Sequence, residues 1–418
     1  MMQRVAKCRY SLMLMTVAAS TFMAPTSYGA GFYLSEVGTP GSVGTAGVAT
    51  TINTLTADAA WTNPAAMTGI ETDHVLGGMQ IVIPSMKFDS SSSTTVSGNN
   101  GGNGGNTAVI PSFFATKKLS ERLHGGVALT VPTGGGLDFG DNFAGRYGLI
   151  DLDLAGMGLS ASLGYKVNDQ WSVGGGVTAI YTTFEQTIAL RQPGADGKVK
   201  MRDLDDWGYQ PYAGMTWAIS DTVFLGAVYR AEAEVDLKGD LKFEKSGLIP
   251  LADKVKVSWD NPQTFEAGLR VNISEKRTVM FNAGWEDWSA FSENAIDLSG
   301  GILNPILILD RNFKDTWHVG AALVEKIDNS IYSFGISYES SPVEDKDRTI
   351  DLPFDESLRL SAAWSWKGVE NLDFSLGGTL AYMGDGKIEN QNTQGLNFDG
   401  EFDTNLILFL SSTVRYTF

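Results

Sequence analysis

Residues 402–418, FDTNLILFLSSTVRYTF, alternate between apolar and polar side chains, and this stretch decides the class of fold. The apolar members fall on one face: Phe402, Leu406, Leu408, Leu410, Val414, Tyr416 and Phe418. The polar members fall on the other: Asp403, Asn405, Ser411, Thr413 and Arg415. Successive side chains of a β-strand point to opposite faces, so a period of two predicts a strand. One apolar and one polar face over roughly ten residues is typical of a strand that spans an outer membrane.

The same alternation recurs from His74 onward and is clear in residues 223–234, 332–339 and 372–382. Short turns such as Asn168-Asp169 alternate with longer polar connections, which are Ser85–Thr107, Arg191–Asp206, Lys245–Asp260 and Ala290–Arg311. An even number of strands, with short turns at one rim and long loops at the other, is the outer-membrane pattern. We therefore predict an all-β fold, a transmembrane antiparallel β-barrel of about 14 strands that ends at Phe418.

A soluble β-sandwich is the alternative, because it would alternate in the same way with its apolar face inward. One sequence does not show which face lies outside. Tryptophans near the predicted strand ends, such as Trp171 and Trp217, match the aromatic girdles of membrane barrels. The many charges on the polar faces and the export signal also favour the membrane.

Residues 1–29 have the features of a secretory signal. Arg4, Lys7 and Arg9 form a basic start, residues 12–24 are apolar, and small residues precede Ala30, where we expect cleavage. The only cysteine of the sequence, Cys8, lies in this segment. The mature chain would then form no disulfide, and a closed hydrogen-bonded barrel is stable without one. After the signal, no apolar run approaches the ~20 residues of a membrane-spanning helix.

Charge and chemistry exclude other classes of function. The sequence has 31 Lys and Arg against 48 Asp and Glu, a formal net charge of −17, so we expect no nucleic-acid partner. His74, His124 and His318 lack metal-ligand spacing, and no Ser–His pair is indicated. We expect no enzyme activity, no catalytic residue, no metal and no cofactor.

Residues 30–72 do not alternate and are rich in Gly, Ala and Thr. They could form a periplasmic extension or a plug in the lumen. A barrel of this size leaves a passage unless something fills it, and few charges with many small residues favour a plug. We therefore predict three parts: the signal (1–29), an N-terminal hatch in the lumen (30–72) and the outer-membrane barrel (73–418).

Several short motifs, in order from Ala30 to Phe418, resemble one family. They are AGFYLSE (30–36), Asn63-Pro64-Ala65, DNFAGRY (141–147), NFKD (312–315), SPV (341–343) and LAYM (380–383). The family is that of the outer-membrane long-chain fatty acid transporters, the FadL family, which also includes aromatic hydrocarbon transporters. The resemblance implies a 14-stranded barrel with a hatch in the Gram-negative outer membrane, and uptake of hydrophobic molecules without a cofactor or energy source. It also implies contact with outer-membrane lipid and lipopolysaccharide, and insertion by the barrel-assembly machinery.

The resemblance further implies a gap in the barrel wall through which the substrate leaves laterally. The predicted third strand contains Pro132, Thr133 and Gly134. Proline removes a hydrogen-bond donor and glycine tolerates a kink, so this strand can bend inward. An ordinary strand end that runs into a Gly-rich loop is the alternative. We also expect the triplet Asn63, Pro64 and Ala65 of the hatch to pack against the bend at Pro132–Gly136.

A fatty acid would need an apolar pocket and a partner for its carboxylate. We expect Phe32 and Leu34 to line the pocket. The two basic positions that hold the carboxylate in relatives fall here on Ile188 and Leu309, and Arg191, Arg202 and Arg311 are the nearby candidates to replace them. This departure leaves the substrate open between fatty acids and aromatic or alkane hydrocarbons. A general porin and an outer-membrane enzyme are alternatives of other classes.

Overall fold

The computed structural model of the protein describes residues 38–245, 252–301 and 305–418. The predicted signal (1–29) and the expected pocket residues Phe32 and Leu34 lie outside these ranges. Two short α-helices and three 3₁₀-helices are found within them: α1 (Pro40–Val43), α2 (Ala59–Thr62), η1 (Thr50–Ile52), η2 (Pro64–Gly69) and η3 (Trp288–Phe291). No helix in the described ranges is long and apolar enough to cross a membrane.

Most of the described chain is β-strand, and all the strands belong to one sheet. They are β1 (His74–Ser90), β2 (Ala108–Lys118), β3 (Leu123–Asp138), β4 (Asp151–Lys166), β5 (Trp171–Leu190), β6 (Gly197–Ala218), β7 (Val223–Arg230), β8 (Ala233–Glu244), β9 (Lys254–Asn261), β10 (Thr264–Asn272), β11 (Arg277–Glu286), β12 (Glu293–Ser299), β13 (Ile306–Asp310), β14 (Thr316–Ile327), β15 (Ser330–Glu339), β16 (Ser357–Lys367), β17 (Leu372–Tyr382), β18 (Ile388–Thr393) and β19 (Leu396–Thr417).

Fourteen of these strands close into an antiparallel ring. The ring order is β1 to β7, then β10, β11, β14 to β17 and β19, and β1 pairs with both β2 and β19. The predicted 14-stranded barrel is therefore confirmed. Short turns such as 167–170 and 219–222 lie at one end of the ring, which is the periplasmic end of an outer-membrane barrel.

The apolar face of the ring points outward. On β19, Leu410 and Val414 are 41% and 40% exposed, whereas Ser411 and Thr413 between them are buried. A soluble sandwich would bury the apolar set, so the alternation is that of a membrane barrel.

Phe402 departs from this pattern, and its predicted place on the outer face is wrong. Lys87 of β1 pairs with Thr404, but the next residue, Phe88, pairs with Phe402. Asp403 is therefore the extra residue of a β-bulge, which reverses the faces beyond it. Phe402 is buried in the lumen as a result.

Five shorter strands, β8, β9, β12, β13 and β18, extend the wall beyond the ring, and three of them, β9, β12 and β13, lie in segments that we predicted as long polar connections. β8 pairs with β6 and β9, β12 pairs with β9 and β13, and β18 pairs with β19. The predicted connections 191–206, 245–260 and 290–311 are therefore shorter than expected. A strand outside the membrane needs no apolar outer face, so the membrane pattern does not detect it. Lys198 opposite Glu244 is an example of such a polar pair.

Candidate functional site: the lumen and the barrel wall

The described part of the predicted hatch, residues 38–72, lies inside the ring near its periplasmic end. Its helices contact strands around the ring: β2 to β7, β10, β16, β17 and β19. Lumen-facing glycines make room for it, since a Cβ added at any of them would come within 3.0 Å of a hatch atom. These glycines are Gly78, Gly126, Gly164, Gly174, Gly214, Gly226, Gly268, Gly320 and Gly335. At Gly164, Gly174, Gly226 and Gly335 the nearest atom belongs to the hatch backbone, so there the hatch backbone rests directly against the barrel backbone.

The triplet Asn63-Pro64-Ala65 is fully buried and joins the hatch to the wall. The amide of Asn63 donates to the carbonyl oxygens of Thr51 (2.7 Å) and of Met215 on β6 (3.2 Å). Its Oδ1 accepts from the N–H of Ala65 at 3.1 Å and caps η2. Pro64 and Ala65 lie against Gly164 and Gly174.

The expectation that this triplet packs against Pro132–Gly136 is wrong. The triplet lies against β4, β5 and β6 near the periplasmic end. Where the hatch does touch β3, the contact is at Gly126, six residues before Pro132 and closer to the periplasmic end. At ~3.3 Å per residue, the bend lies roughly 20 Å further along the strand.

The barrel wall opens between β2 and β3. These strands pair only from Phe113 opposite Leu129 to Lys118 opposite His124. Beyond Phe113, the described residues 108–112 of β2 and 130–135 of β3 have no pairing with one another. The two sides meet again where Asn106 donates to the carbonyl oxygen of Gly136 (3.1 Å). We call the unpaired stretch the wall opening.

The bend of β3 into the lumen produces this opening. Residues 130–137 are all buried, whereas an ordinary strand of the wall alternates. The register against β4 shifts between Thr130 and Thr133, so Pro132 lies at a bulge where its missing N–H costs no ladder bond. The hydroxyl of Thr133 points inward and donates to Asn261 Oδ1 (3.1 Å). Pro132, Thr133 and Gly134 therefore lie at the edge of the opening.

Apolar side chains line the lumen beside the opening. This cluster consists of Val82, Ala108, Ile110, Val131, Ala381, Ile407 and Phe409, with Met383 packed against it. A second and larger apolar cluster fills the extracellular end, and five phenylalanines pack together in it. They are Phe88, Phe139, Phe143, Phe398 and Phe402. Phe402 and Ile407, in the two clusters, lie on the same strand, so apolar surface extends from the extracellular end to the opening.

The three predicted arginines occupy different places, and each has protein partners. Arg191 is exposed and its guanidinium donates to the carbonyl oxygen of Gln394 (3.1 Å). Arg202 forms ion pairs with Glu185 (3.0 Å) and Asp151 (3.4 Å).

Arg311 is buried and lines an apolar cavity. It forms an ion pair with Asp351 (2.9 Å) and donates to Asn294 Oδ1 (2.7 Å). The cavity is small, about 20 Å³, and Leu309 and Trp259 also line it. Ile188 lies on β5 opposite Val199 and does not line this cavity.

Asp351 lies in the extracellular connection between β15 and β16, outside the membrane-spanning strands. Burial alone would raise the pKa of its carboxyl group, but the guanidinium of Arg311 outweighs burial and holds the pKa below its usual value. The carboxyl group of Asp351 is therefore ionised at neutral pH.

Comparison with known proteins identifies the chain. Residues 20–418 match the family described as outer membrane protein transport protein (OMPP1/FadL/TodX). The chain belongs to the FadL family. A long-chain fatty acid transport protein of Escherichia coli is 23% identical over 380 residues, which cover 81% of this chain and 84% of that protein. As a family member, the protein is an outer-membrane transport protein.

Two solved structures of FadL-family proteins have the same fold. One is a Pseudomonas aeruginosa FadL homologue, with a TM-score of 0.83 and 20% identity over 93% of this chain and 99% of that one. The other is the Ralstonia pickettii toluene transporter TbuX, with a TM-score of 0.68 and 19% identity over 92% of this chain and 99% of that one.

In this FadL-family protein, lumen arginines that the sequence analysis did not single out hold the hatch. Arg230 on β7 donates to the carbonyl oxygens of Trp61 and Thr62, and its guanidinium lies over the Trp61 ring at 4.3 Å. Arg270 on β10 donates to the carbonyl oxygen of Ile52 (3.2 Å). Arg415 on β19 donates to that of Leu55 (3.3 Å). The sequence signal that could have identified these three residues is an arginine at a position that the alternation places on the inward face of a strand.

Proposed function

We propose that this protein takes up long-chain fatty acids and releases them sideways through the wall opening. The observation that supports this best is the opening itself, which lies beside an apolar cluster of the lumen. The polar lipopolysaccharide layer excludes apolar solutes, so a protein that carries them past this layer can release them directly into hydrocarbon. No energy source or cofactor is needed for such diffusion.

Arg311 is the best candidate to hold the carboxylate, because it is buried and lines an apolar cavity. A carboxylate that leaves water needs a charged donor to offset desolvation. The guanidinium of Arg311 already donates to the carboxylate of Asp351. A fatty acid would therefore displace Asp351 from one side of the guanidinium. Arg202, with two carboxylate partners, and the exposed Arg191 are weaker candidates.

Aromatic or alkane hydrocarbons are the second candidate substrates. Each of the three predicted arginines, Arg191, Arg202 and Arg311, already has a protein partner. This favours a neutral hydrocarbon, because such a substrate needs no free cation. The phenylalanine cluster at the extracellular end would suit aromatic rings. The toluene transporter TbuX, which has the same fold, is a precedent within the family.

The hatch, as residues 30–72, would close the lumen to ions and direct the substrate toward the wall. Its dense contacts with the ring support this role, and they disfavour a general porin. Phe32 and Leu34 remain the predicted lining of an apolar pocket. The apolar outer face supports contact with outer-membrane lipid. We also propose contact with lipopolysaccharide and insertion by the barrel-assembly machinery, as expected of a barrel in this membrane.

Uptake of labelled oleate and labelled toluene, by cells with and without the protein, tests this function. We expect the protein to increase oleate uptake severalfold. Increased toluene uptake with unchanged oleate uptake would favour the hydrocarbon alternative. In planar bilayers the purified protein should give no steady porin-like conductance, and a large constant conductance would contradict the proposed hatch.

A further inference from the structure

The outer surface of β2 to β5 contains a groove of about 980 Å³. It lies in the periplasmic half of the barrel, below the wall opening. Its lining includes Ala115, Gly125, Val127, Ala161 and Gly175, and Lys117 lies at its periplasmic end. We call it the outer groove.

Small residues produce the concave shape. Ala115, Gly125, Ala161 and Gly175 face outward on four adjacent strands, where a membrane barrel usually has large apolar side chains. The neighbouring side chains of Leu119 and Leu163 are large and project beyond these small residues, since each is 53% exposed. The wall therefore has a recess of the width of several strands with apolar rims.

The outer groove lies directly below the wall opening, one outward-facing residue pair away. Phe113 and Leu129 form the last β2–β3 pair below the opening, and the next outward-facing pair below it is Ala115 with Val127. Both Ala115 and Val127 line the groove. At ~3.3 Å per residue, the groove begins roughly 7 Å from the lower edge of the opening.

The periplasmic end of the groove is polar. Lys117 is exposed, and within the described ranges it has no ion pair, whereas the adjacent Lys118 is paired with Glu121 (3.1 Å). Asp73 also lines this end, and one of its carboxylate oxygens accepts from the N–H of Lys118 (2.7 Å). A lysine at this level extends its ammonium group to the membrane surface.

We propose that the outer groove binds the alkyl chain of a released long-chain carboxylate and guides it into the periplasmic leaflet, with its head group beside Lys117. This inference rests on the proposed function and adds the route after the opening. Without such a route, a carboxylate that emerges at the opening would be desolvated in hydrocarbon, which is costly. The apolar groove and its unpaired lysine match an amphiphilic anion in shape and charge.

One variant and a matched control test the groove. Ala161→Phe fills the groove, and Ala321→Phe adds the same side chain to the outer face of β14, on the far side of the ring. The readouts are equilibrium oleate binding by purified protein and the rate of oleate transfer into vesicles that contain the protein. We expect Ala161→Phe to slow transfer severalfold with unchanged binding, and Ala321→Phe to behave as the wild type.

The head-group position is tested with Lys117→Gln. Transfer of oleate should slow by roughly two- to fivefold, the range for loss of one exposed charge pair, while transfer of oleyl alcohol stays unchanged. Lys117→Arg should restore oleate transfer, because it keeps the positive charge.

The outcomes separate this inference from the proposed function. If the wild type transfers oleate and Ala161→Phe transfers it equally fast, the groove proposal is overturned and the proposed function stands. If the wild type transfers no oleate, both are overturned. A fluorophore on Val127→Cys should report added oleate. If it reports bound phospholipid that oleate does not displace, the groove is a lipid contact surface and the proposal is overturned.

Discussion

The guanidinium of Arg311 lies 2.9 Å from the carboxylate of Asp351, and the two side chains are only 10% and 13% exposed. The pair lines an apolar cavity at the extracellular end of the barrel, together with Leu309. A fatty acid that binds there must compete with Asp351 for the same donor. Because of this competition, substitutions of Arg311 and Asp351 can distinguish a fatty acid substrate from a neutral hydrocarbon.

If the substrate is a carboxylate, Arg311→Met should lower oleate affinity by about ten- to a hundredfold, the effect of losing one charge-assisted hydrogen bond. Affinity for oleyl alcohol should hardly change. Asp351→Asn should raise oleate affinity, because it frees the guanidinium. Calorimetry with purified protein measures the affinities for oleate and for oleyl alcohol. Unchanged oleate affinity in both variants would favour the hydrocarbon alternative.

The same pair predicts a dependence of stability on pH. The pKa of Asp351 is lower in the folded protein than its usual value, so the pair stabilises the fold above pH ~3.9. This stabilisation is lost as the pH falls through the folded-state pKa. The melting temperature of the wild type should therefore fall more, between pH 7 and pH 3, than that of the double variant Arg311→Met/Asp351→Asn. Equal decreases would show that the pair does not contribute.

The double variant is also the proper control for stability. Removal of Arg311 alone leaves a buried carboxylate without its partner, which costs about 3–5 kcal/mol. The double variant removes both charges together. A loss of oleate affinity that appears in Arg311→Met and persists in the double variant belongs to the carboxylate site and not to misfolding.

Arg230 should hold the hatch closed. Arg230→Met removes the hydrogen bonds to Trp61 and Thr62 and should weaken this attachment by about 1.5–3 kcal/mol. We expect more frequent ion-conducting openings in planar bilayers. Arg277→Met is the matched control, because Arg277 pairs with Glu325 near the periplasmic turn. Identical conductance of the two variants would remove Arg230 from this role.

Asn63 should matter for transport more than for assembly. Asn63→Leu keeps the branched shape and the number of side-chain heavy atoms but loses the hydrogen bonds to Thr51 and Met215, so the hatch is no longer fixed to β6. We expect reduced oleate uptake with normal heat-modifiable gel mobility. Loss of the folded band instead would assign Asn63 to barrel stability.

The sequence predicts the ring because membrane strands repeat a simple two-sided pattern. Leu410 and Ser411 fall on the faces that the alternation predicts. Phe402 does not, because a β-bulge depends on the pairing partner and is not encoded in one strand. The extracellular strands β12 and β13 lack the membrane pattern, and we predicted their segment, 290–311, as a connection.

The site was predicted less completely, for a related reason. Pro132 marks the bend in β3 because proline has a local effect on backbone geometry. The position of Asn63 depends on how far the hatch enters the lumen, which no local pattern records. Likewise, the pairing of Arg311 with Asp351 joins residues 40 positions apart and depends on loop packing.

The central claim is that substrate leaves through the wall opening between β2 and β3. Ile110→Cys and Val131→Cys place one thiol on each side of the opening, and a short bifunctional reagent can then join them. The control pair, Phe113→Cys and Leu129→Cys, joins strands that are already paired below the opening. Cys8, the only native cysteine, lies in the predicted signal.

Oleate uptake by cells, before and after crosslinking, is the measurement that tests this claim most directly. We predict that the crosslink across Ile110→Cys and Val131→Cys lowers uptake to the level of cells without the protein. The control crosslink should leave uptake unchanged. Undiminished uptake after complete crosslinking of the opening would contradict lateral release.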